Sequence, residues 1–308
     1  MTDSNKPLSK YKREPKRVAF QITDRDLEIM RALNRYRYMR TGQIHQLLFS
    51  DNGTVQSARR RLRALYHHRY IARAQPYVQV GKPAPEIAYY LDRKGRQLMR
   101  KENQTVKYWR KGGEVKYQFL EHALAVSQFR VDLEIAVSQM DDVSLDLFIP
   151  DFEMRKQAEE YVGKKRYLLY REATHPANRK SYIVHPDALI VLTVDRNGKK
   201  ASRMLCLEID QGTQGLDRIR DKMTGYRLAQ QENLLHQFSG LSSFIVLFQA
   251  NTARRADNIF NALVDHASED LARVSSRDNI SADTIISEPI WKTLAGDLKR
   301  IVAPARSV

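Results

Sequence analysis

Apolar residues near the start of the chain recur at the spacing of an α-helix. The first such segment predicts a helix over residues 24–35. Its buried positions would be Leu27, Met30 and Leu33. Thr23 stands before this helix and Asp26 follows three residues later, which is the arrangement of a capping box.

Two further helices are predicted at short intervals. Thr41 should cap the second helix, whose apolar face would be formed by Ile44, Leu47 and Leu48. Ser-Asp-Asn-Gly at 50–53 is typical of a turn, and a third helix follows over residues 55–67.

The third predicted helix has one apolar face and one arginine-rich face. Ala58, Leu62 and Leu65 form the inward stripe. A rotation of about 100° per residue places the polar side chains opposite this stripe or at its flank. These side chains are Gln56, Arg59, Arg60, Arg63 and His67. The pattern predicts a recognition helix that enters the DNA major groove, and the alternative is a solvated basic face.

A β-hairpin is predicted after the third helix. Residues 70–73 and 87–91 favour strands, and Gly-Lys-Pro-Ala-Pro at 81–85 lies in the loop between them. Three helices followed by a hairpin predict a winged helix-turn-helix domain over residues 19–112. Lys82 would lie on the wing and contact DNA.

A long helix is predicted over residues 117–140. Its single packed face would consist of Phe119, Ala123, Val126, Leu133 and Val137. His122 lies on the same face and Glu134 lies at its flank. A hydrogen-bonded core residue is the more common role at such a position, so His122 and Glu134 are only secondary site candidates.

Strands dominate the segment that follows. Alternation over residues 143–149 predicts one strand, and residues 164–171 favour a short additional one. Residues 188–194 and 203–210 should pair around the hairpin turn Asp-Arg-Asn-Gly at 195–198.

The segment ends with a helix, a strand and another helix. The first helix would bury Leu216, Ile219, Met223 and Tyr226. Residues 244–248 form the strand, and Thr252 caps the last helix. The order helix, strand, strand, strand, helix, strand predicts an α+β domain over residues 113–265, with its boundary at Gly112-Gly113.

The last part of the chain, residues 266–308, carries weaker patterns. A strand at 284–286 and a short amphipathic helix at 291–301 are the predicted elements. This C-terminal extension would cover the core or mediate self-association as a homodimer.

Charge divides the chain unevenly. Residues 1–113 hold 26 of the 52 Lys and Arg but 9 of the 36 Asp and Glu, so this third carries +17 and the remainder −1. Six Lys or Arg lie within residues 1–18, which predicts a flexible basic arm. A charge excess confined to one segment favours a polyanionic partner, here double-stranded DNA.

Composition excludes several classes of protein. The chain is 42% hydrophobic, yet no apolar run reaches the roughly 20 residues that span a bilayer. Cys206 is the only cysteine and lies in an apolar strand, so it supports neither a disulfide nor a Cys-based zinc site. With no secretory pattern at residues 1–18, the expectation is a cytoplasmic protein without a membrane partner.

Two short motifs resemble a known nuclease core. His-Pro-Asp at 185–187 opens one strand, and Leu-Glu-Ile-Asp-Gln-Gly-Thr at 207–213 ends the next. Together with the element order they resemble the PD-(D/E)xK fold. With the upstream winged helix, and with Lys222 and Tyr226 downstream, residues 19–265 resemble the replication-relaxation family of bacterial plasmids and mobile elements.

The resemblance implies a carboxylate site for Mg²⁺ or Mn²⁺. Asp187, Glu208 and Asp210 would be its ligands, because hard cations prefer carboxylate oxygens and promote phosphodiester cleavage. Glu208 and Asp210 are two apart on one strand and therefore share a face. Mutual repulsion of these groups should raise at least one pKa.

The nuclease pattern has Lys where this chain has Asp210. Lys222 precedes Tyr226 by four residues on the next helix, so both side chains would lie together and complete the catalytic set. The alternatives are a surface ion pair for Lys222 and a turn-capping role for Asp187.

Two functions follow from this sequence. The first is a DNA-binding protein of plasmid or mobile-element replication or transfer that nicks or processes DNA with a metal ion. The second is an inactive accessory factor or transcriptional regulator, whose second domain is a structural or dimerising platform. Replication or transfer proteins of the same element would be partners of either.

Overall fold

A computed structural model describes residues 13, 20–49, 53–74, 86–106, 115–268 and 270–302. Several predicted features lie outside these residues. They are the basic arm apart from Arg13, turn residues 50–52, the loop at 81–85 with Lys82, and Gly112-Gly113. The chain forms two compact units, residues 1–131 and 132–308, so the division falls within the long helix.

Unit 1 contains helices and a small antiparallel sheet. Its helices are α1 (Asp24–Tyr36), α2 (Thr41–Leu48), α3 (Val55–His67), α4 (Arg93–Lys101) and the first part of α5 (Tyr117–Ser138). Its strands are β1 (Met39–Arg40), β2 (Ile71–Ala74) and β3 (Ala88–Leu91), in the order β1-β3-β2. The first three helices and both hairpin strands confirm the sequence prediction, whereas β1 and α4 were not predicted.

The beginnings of α1 and α2 differ in how they are capped. The Thr23 backbone amide donates to Asp26 Oδ2 at 2.9 Å, which confirms the capping box. The prediction that Thr41 caps α2 is wrong, because Thr41 is already helical and Arg40 occupies the cap. The Arg40 amide donates to Gln43 Oε1 at 2.8 Å, so the glutamine takes over the capping role.

Helix α5 departs from its predicted one-sided packing. Nearly every residue from Leu124 to Leu133 is buried, whereas Phe119 at the predicted face is exposed. The buried stretch also contains Ser127, Arg130 and Asp132, so the spacing of apolar residues alone does not identify the packed face of this helix. In unit 1, Gln43 Nε2 donates to the Leu124 carbonyl at 2.8 Å, which ties the unit 1 part of α5 to α2.

Unit 2 is built on one seven-stranded mixed sheet. Its strands are β4 (Val143–Pro150), β7 (Ala188–Arg196), β8 (Lys199–Asp210), β9 (Phe244–Ala250), β10 (Ala272–Ser276), β11 (Trp291–Thr293) and β12 (Leu298–Lys299). Their order is β12-β11-β10-β9-β8-β7-β4, with β8, β9 and β10 parallel. Helices α6 (Leu216–Gln231) and α7 (Ala253–Leu263) pack on one face, and β5 (Arg171–Thr174) pairs with β6 (Ser181–Val184).

The β7–β8 hairpin confirms its predicted turn. Asn197 and Gly198 have φ of 53° and 77°, the left-handed conformation that a two-residue hairpin loop requires. The hairpin pairs Ala188 with Leu207, so the start of β7 lies beside the end of β8. Asp187 and Glu208 are therefore neighbours because of local turn geometry.

Three predicted elements are wrong. Residues 164–171 form a 3-10 helix (Gly163–Arg166) and turns before β5 begins. Residues 284–286 are a turn, and residues 291–301 contain β11 and β12 instead of a helix. Short apolar runs fit a helix or a strand equally well, and their place at the edge of a sheet decided the outcome.

The two units together form an α+β protein, as predicted. Strands β10, β11 and β12, which follow residue 265, belong to the main sheet. Within the part of the chain that the structure describes, no helix is both long enough and apolar enough to cross a bilayer.

Candidate functional site

The carboxylate cluster, which we define as Asp187, Glu208 and Asp210, lies where β7 begins and β8 ends. Residues from Met204 to Asp210 are buried, and strand alternation directs Cys206, Glu208 and Asp210 to the same face. This face packs against α6 and α7.

Glu208 is held by two side chains from α6. Lys222 Nζ lies 2.5 Å from Oε2, and the Tyr226 hydroxyl donates to Oε1 at 2.6 Å. Lys222 and Tyr226 are one helical turn apart, which confirms that their side chains neighbour each other. The Glu208 side chain is only 3% exposed, and Lys222 retains 25% exposure.

Burial dominates the electrostatics of this group. Burial raises the pKa of Glu208, the Lys222 cation opposes this rise, and the nearby Asp187 carboxylate adds to it. For Lys222 burial acts in the opposite direction, yet the Glu208 and Asp187 carboxylates outweigh it and raise the pKa. Burial and the same carboxylates raise the pKa of Tyr226 well above its usual value, so its hydroxyl stays a hydrogen-bond donor.

Asp187 is tied to β8 through its backbone and its side chain. Its amide donates to the Leu207 carbonyl at 2.9 Å, and its Oδ2 accepts from the Ile209 amide at 2.7 Å. Its carboxylate therefore bridges the two strands beside Glu208. The preceding His185 ring lies within hydrogen-bonding distance of the Asp151 carbonyl, at 3.1 Å, and stacks on Tyr167.

Asp210 has a different partner, which the sequence did not indicate. Arg255 donates Nε to Asp210 Oδ1 at 2.8 Å and Nη2 to Oδ2 at 3.0 Å. Arg255 lies in the first turn of α7, where the Thr252 cap accepts its amide at 3.2 Å. The predicted Thr252 cap was the only local sign that Arg255 lies close to the end of β8.

The cluster is therefore divided between two cations. Asp187 and Glu208 lie close to Lys222, whereas Asp210 forms a bidentate pair with Arg255. Across the described ranges, no group of three or more His, Cys, Asp or Glu is arranged to hold a metal ion. Repulsion among the carboxylates was expected to raise at least one pKa. The pKa of Glu208 is raised, but the largest cause is burial, and repulsion by Asp187 contributes less.

Helix α3 of unit 1 is the second candidate site. Ala58, Leu62 and Leu65 are fully buried, as predicted. Gln56, Arg59 and Arg60 are exposed and Arg63 is half-buried. The placement of His67 on the exposed face is wrong, because it is buried at the last turn of the helix.

A buried ion pair sets the orientation of α3, and sequence reasoning missed it. Asp26 is fully buried and accepts from Nε of Arg61 at 2.9 Å and also from Nη2. The hydrogen bond to Asp26 raises the pKa of Arg61. Arg61 thus anchors α3 to α1, whereas Arg59 and Arg60 point to solvent.

The remaining candidates lie elsewhere. His122 is half-buried in the unit 1 part of α5, and Glu134 is half-buried in its unit 2 part. Cys206 is fully buried, and burial raises the pKa of its thiol well above the usual value. It acts as a small core residue, as predicted.

These features define a two-unit α+β protein with a basic helix in one unit and paired carboxylates in the other. Residues 30–238 match the replication-relaxation family, and the chain belongs to this family. Searches of curated proteins and of solved structures gave no significant match. Family membership indicates a role in plasmid or mobile-element replication.

Proposed function

We propose that the protein binds double-stranded DNA during plasmid or mobile-element replication and that unit 1 is its winged helix-turn-helix domain. One observation carries the proposal. Helix α3 buries Ala58, Leu62 and Leu65 completely while it exposes Arg59 and Arg60. An amphipathic helix with exposed arginines suits the major groove, where guanidinium groups contact guanine edges and phosphates.

The surroundings of α3 support this role. The element order α1, β1, α2, α3, β2, β3 agrees with a helix-turn-helix followed by a hairpin. Because the Asp26–Arg61 pair orients the helix, the exposed arginines are held in place before DNA arrives. Among the described residues, no salt bridge occupies Arg59, Arg60 or Arg63.

Salt-dependent binding of the full chain tests the proposal. Affinity for duplex DNA should fall steeply as salt rises, because phosphate contacts release counterions. Arg60→Ala and Arg63→Ala should each cost about 1 to 3 kcal/mol of binding and relax sequence preference. Arg227→Ala, at an exposed position of α6, is the matched control. Unchanged binding in the Arg60→Ala/Arg63→Ala double variant rules out α3 as the recognition helix.

A second activity, metal-dependent cleavage of DNA by a PD-(D/E)xK-like unit 2, is favoured by a specific contact. Lys222 Nζ lies 2.5 Å from Glu208, so a cation stands beside the two carboxylates although β8 carries Asp210 where the nuclease pattern has Lys. Asp187 and Glu208 fit a hard cation, because Mg²⁺ in enzymes is often bound by one or two carboxylates, waters and substrate phosphates. Glu208 would exchange its contact with Lys222 Nζ for the cation, whereas both oxygens of Asp210 are held in a bidentate pair by Arg255. Asp210 is therefore the weaker ligand candidate.

Each side chain would have a separate task in this activity. Mg²⁺ or Mn²⁺ held by Asp187 and Glu208 would supply charge neutralisation at the phosphoryl group and a water of lowered pKa. Lys222 would stabilise negative charge on the phosphate, and the Tyr226 hydroxyl would orient Glu208 through its 2.6 Å hydrogen bond. Arg255 would position the end of β8 by holding Asp210.

Metal binding and cleavage can be measured separately. Mg²⁺ should raise the melting temperature of the wild-type protein, and Asp187→Asn should abolish this shift and the relaxation of supercoiled plasmid. Lys222→Met should suppress relaxation but largely preserve the dependence of melting on Mg²⁺. A wild-type protein that shows neither effect is an inactive DNA-binding factor with unit 2 as its structural platform.

A further inference from the structure

We propose that the strand-contact turn, defined as residues 161–166, binds unpaired DNA beside the carboxylate cluster. This inference deepens the proposed function and depends on DNA being the ligand. The turn contains exposed Tyr161 and Val162 followed by the 3-10 helix Gly163–Arg166, which carries Lys164, Lys165 and Arg166. No part of it belongs to unit 1 or to the residues assigned to metal binding above.

Exposure of apolar groups sets this turn apart from the rest of the surface. Val162 is 86% exposed, the largest value among the exposed large hydrophobic residues of the described chain, where Leu298 follows at 59%. Tyr161 beside it is 38% exposed. Isolated exposed hydrophobic residues are common, but here an aromatic ring, an aliphatic side chain and three cations are consecutive.

Charge complementarity points to a polyanion. Residues 155–166 contain five Lys or Arg against two Glu, Glu159 and Glu160. Lys165 contacts Glu172 at 3.3 Å, but this pair is more than 40% exposed on both sides and is therefore weak. A phosphate can displace it, and Lys164 on the exposed side of the turn adds a second cation.

Arg155 holds the turn in a defined shape. Its amide donates to the Arg166 carbonyl at 3.0 Å, and its Nε donates to the Lys165 carbonyl at 2.8 Å. Its guanidinium lies 5.0 Å from the centroid of the Tyr161 ring, which orients the ring. The platform is therefore formed before a ligand binds, which lowers the entropic cost of binding.

Packing places this platform at the carboxylate cluster. Tyr167 directly follows the turn and stacks on His185, with ring centroids 5.6 Å apart. His185 precedes Asp187 by two residues, and the Asp151 amide donates to the Asp187 carbonyl at 2.9 Å. A strand bound at the turn would therefore lie near the start of β7, where Asp187 is located.

The apolar residues favour an unpaired strand over a duplex. Bases in a duplex are stacked on each other, so they offer no free face to Tyr161 or Val162. Unpaired bases stack on aromatic side chains while cations follow the backbone. The turn therefore holds a melted or single-stranded segment near the carboxylate cluster, and duplex DNA is bound separately by unit 1.

Fluorescence anisotropy with a labelled single-stranded oligonucleotide and with a duplex of equal length tests this inference on the full chain. Tyr161→Ala/Val162→Ser should weaken single-strand binding roughly tenfold, because stacking is lost, and leave duplex binding unchanged. Lys164→Gln/Lys165→Gln should lower the salt slope of single-strand binding by about 1.4, the value for two phosphates. Lys199→Gln/Lys200→Gln, on the exposed β7–β8 hairpin, is the charge-matched control and should change neither.

The outcomes distinguish this site from the duplex site. Loss of duplex binding in Arg60→Ala/Arg63→Ala with single-strand binding retained supports two separate sites. Unchanged single-strand affinity in both turn variants overturns the inference, as does equal weakening of single-strand and duplex binding. Altered sedimentation of the Tyr161→Ala/Val162→Ser variant without a change in DNA binding also overturns it, and assigns the turn to a second copy of the chain. If the wild-type protein binds the single strand but not the duplex, the proposal for α3 fails. The proposal for the turn is then decided by the single-strand affinity of the two turn variants.

Discussion

Helix α3 and the carboxylate cluster differ in the solvent exposure of their charged side chains. Arg59 and Arg60 keep their charges in water, where the cost to folding is small. Glu208 and Asp210 are buried, and each is compensated by a cation from a neighbouring helix, Lys222 or Arg255. Helix α3 is therefore suited to bind an external polyanion. The carboxylate cluster, in contrast, must give up its contact with Lys222 or Arg255 before it can bind a ligand.

Breaking the internal pair at Glu208 should have the largest effect. Lys222→Met should lower the free energy of unfolding by about 3 kcal/mol at pH 8, because it leaves a buried carboxylate without its cation. The loss should be clearly smaller at pH 5. Burial raises the pKa of Glu208, so the native state binds the proton more readily than the unfolded chain and stability falls as pH rises above about 4.3. Removing Lys222 raises this pKa further and extends the fall to higher pH.

Urea titrations at pH 5 and pH 8 measure this effect. The double variant Lys222→Met/Glu208→Gln is the control, since removing both charges should recover most of the loss at pH 8. A destabilisation that is equal at the two pH values would mean that packing, and not the charge of Glu208, responds to the substitution.

The buried pair of unit 1 should show the next largest effect. Asp26→Ala removes the acceptor of the Arg61 side chain and of the Thr23 amide, and should cost about 2 kcal/mol of stability. This cost is smaller than that of Lys222→Met because of the charge that each substitution leaves without a partner. Asp26→Ala leaves Arg61, which is 27% exposed and can turn to water, whereas Lys222→Met leaves Glu208, which is 3% exposed. Thermal unfolding compared with Asp24→Ala, in the same helical turn, provides the measurement. Equal losses in the two variants would contradict an anchoring role for the Asp26–Arg61 pair.

Removal of the exposed arginines should have the smallest effect on stability. Arg59→Ala/Arg60→Ala should change the free energy of unfolding by less than about 0.5 kcal/mol per residue, since neither side chain is buried. The same variant should bind duplex DNA more weakly. A large loss of stability would show that these side chains serve folding, and it would remove the contrast with the carboxylate cluster.

The sequence predicted the parts of the fold that depend on local patterns. The stripe Ala58, Leu62 and Leu65 identified the buried face of α3, and the Asn-Gly turn at 197–198 aligned β7 with β8. Periodicity did not resolve α5, because polar residues such as Arg130 and Asp132 are buried in it together with the apolar ones. It also missed the C-terminal strands, whose two to five residues are too short for a reliable pattern.

The candidate site, like the fold, was predicted only where it depends on local patterns. Neighbouring strand ends brought Asp187 and Glu208 together, and a helical spacing of four brought Lys222 to Tyr226. No local pattern pairs Asp210 with Arg255, which is 45 residues away, or Asp26 with Arg61, which is 35 residues away.

By itself, the sequence determined which elements form, in what order, and which residues share a face. Those properties follow from turn chemistry and from the spacing of neighbouring residues, which act over a few positions. Only the tertiary structure decided which cation compensates each buried carboxylate and which arginine of α3 turns inward. These choices depend on the packing of elements distant in sequence, because a buried charge takes the partner that packing brings within hydrogen-bonding distance.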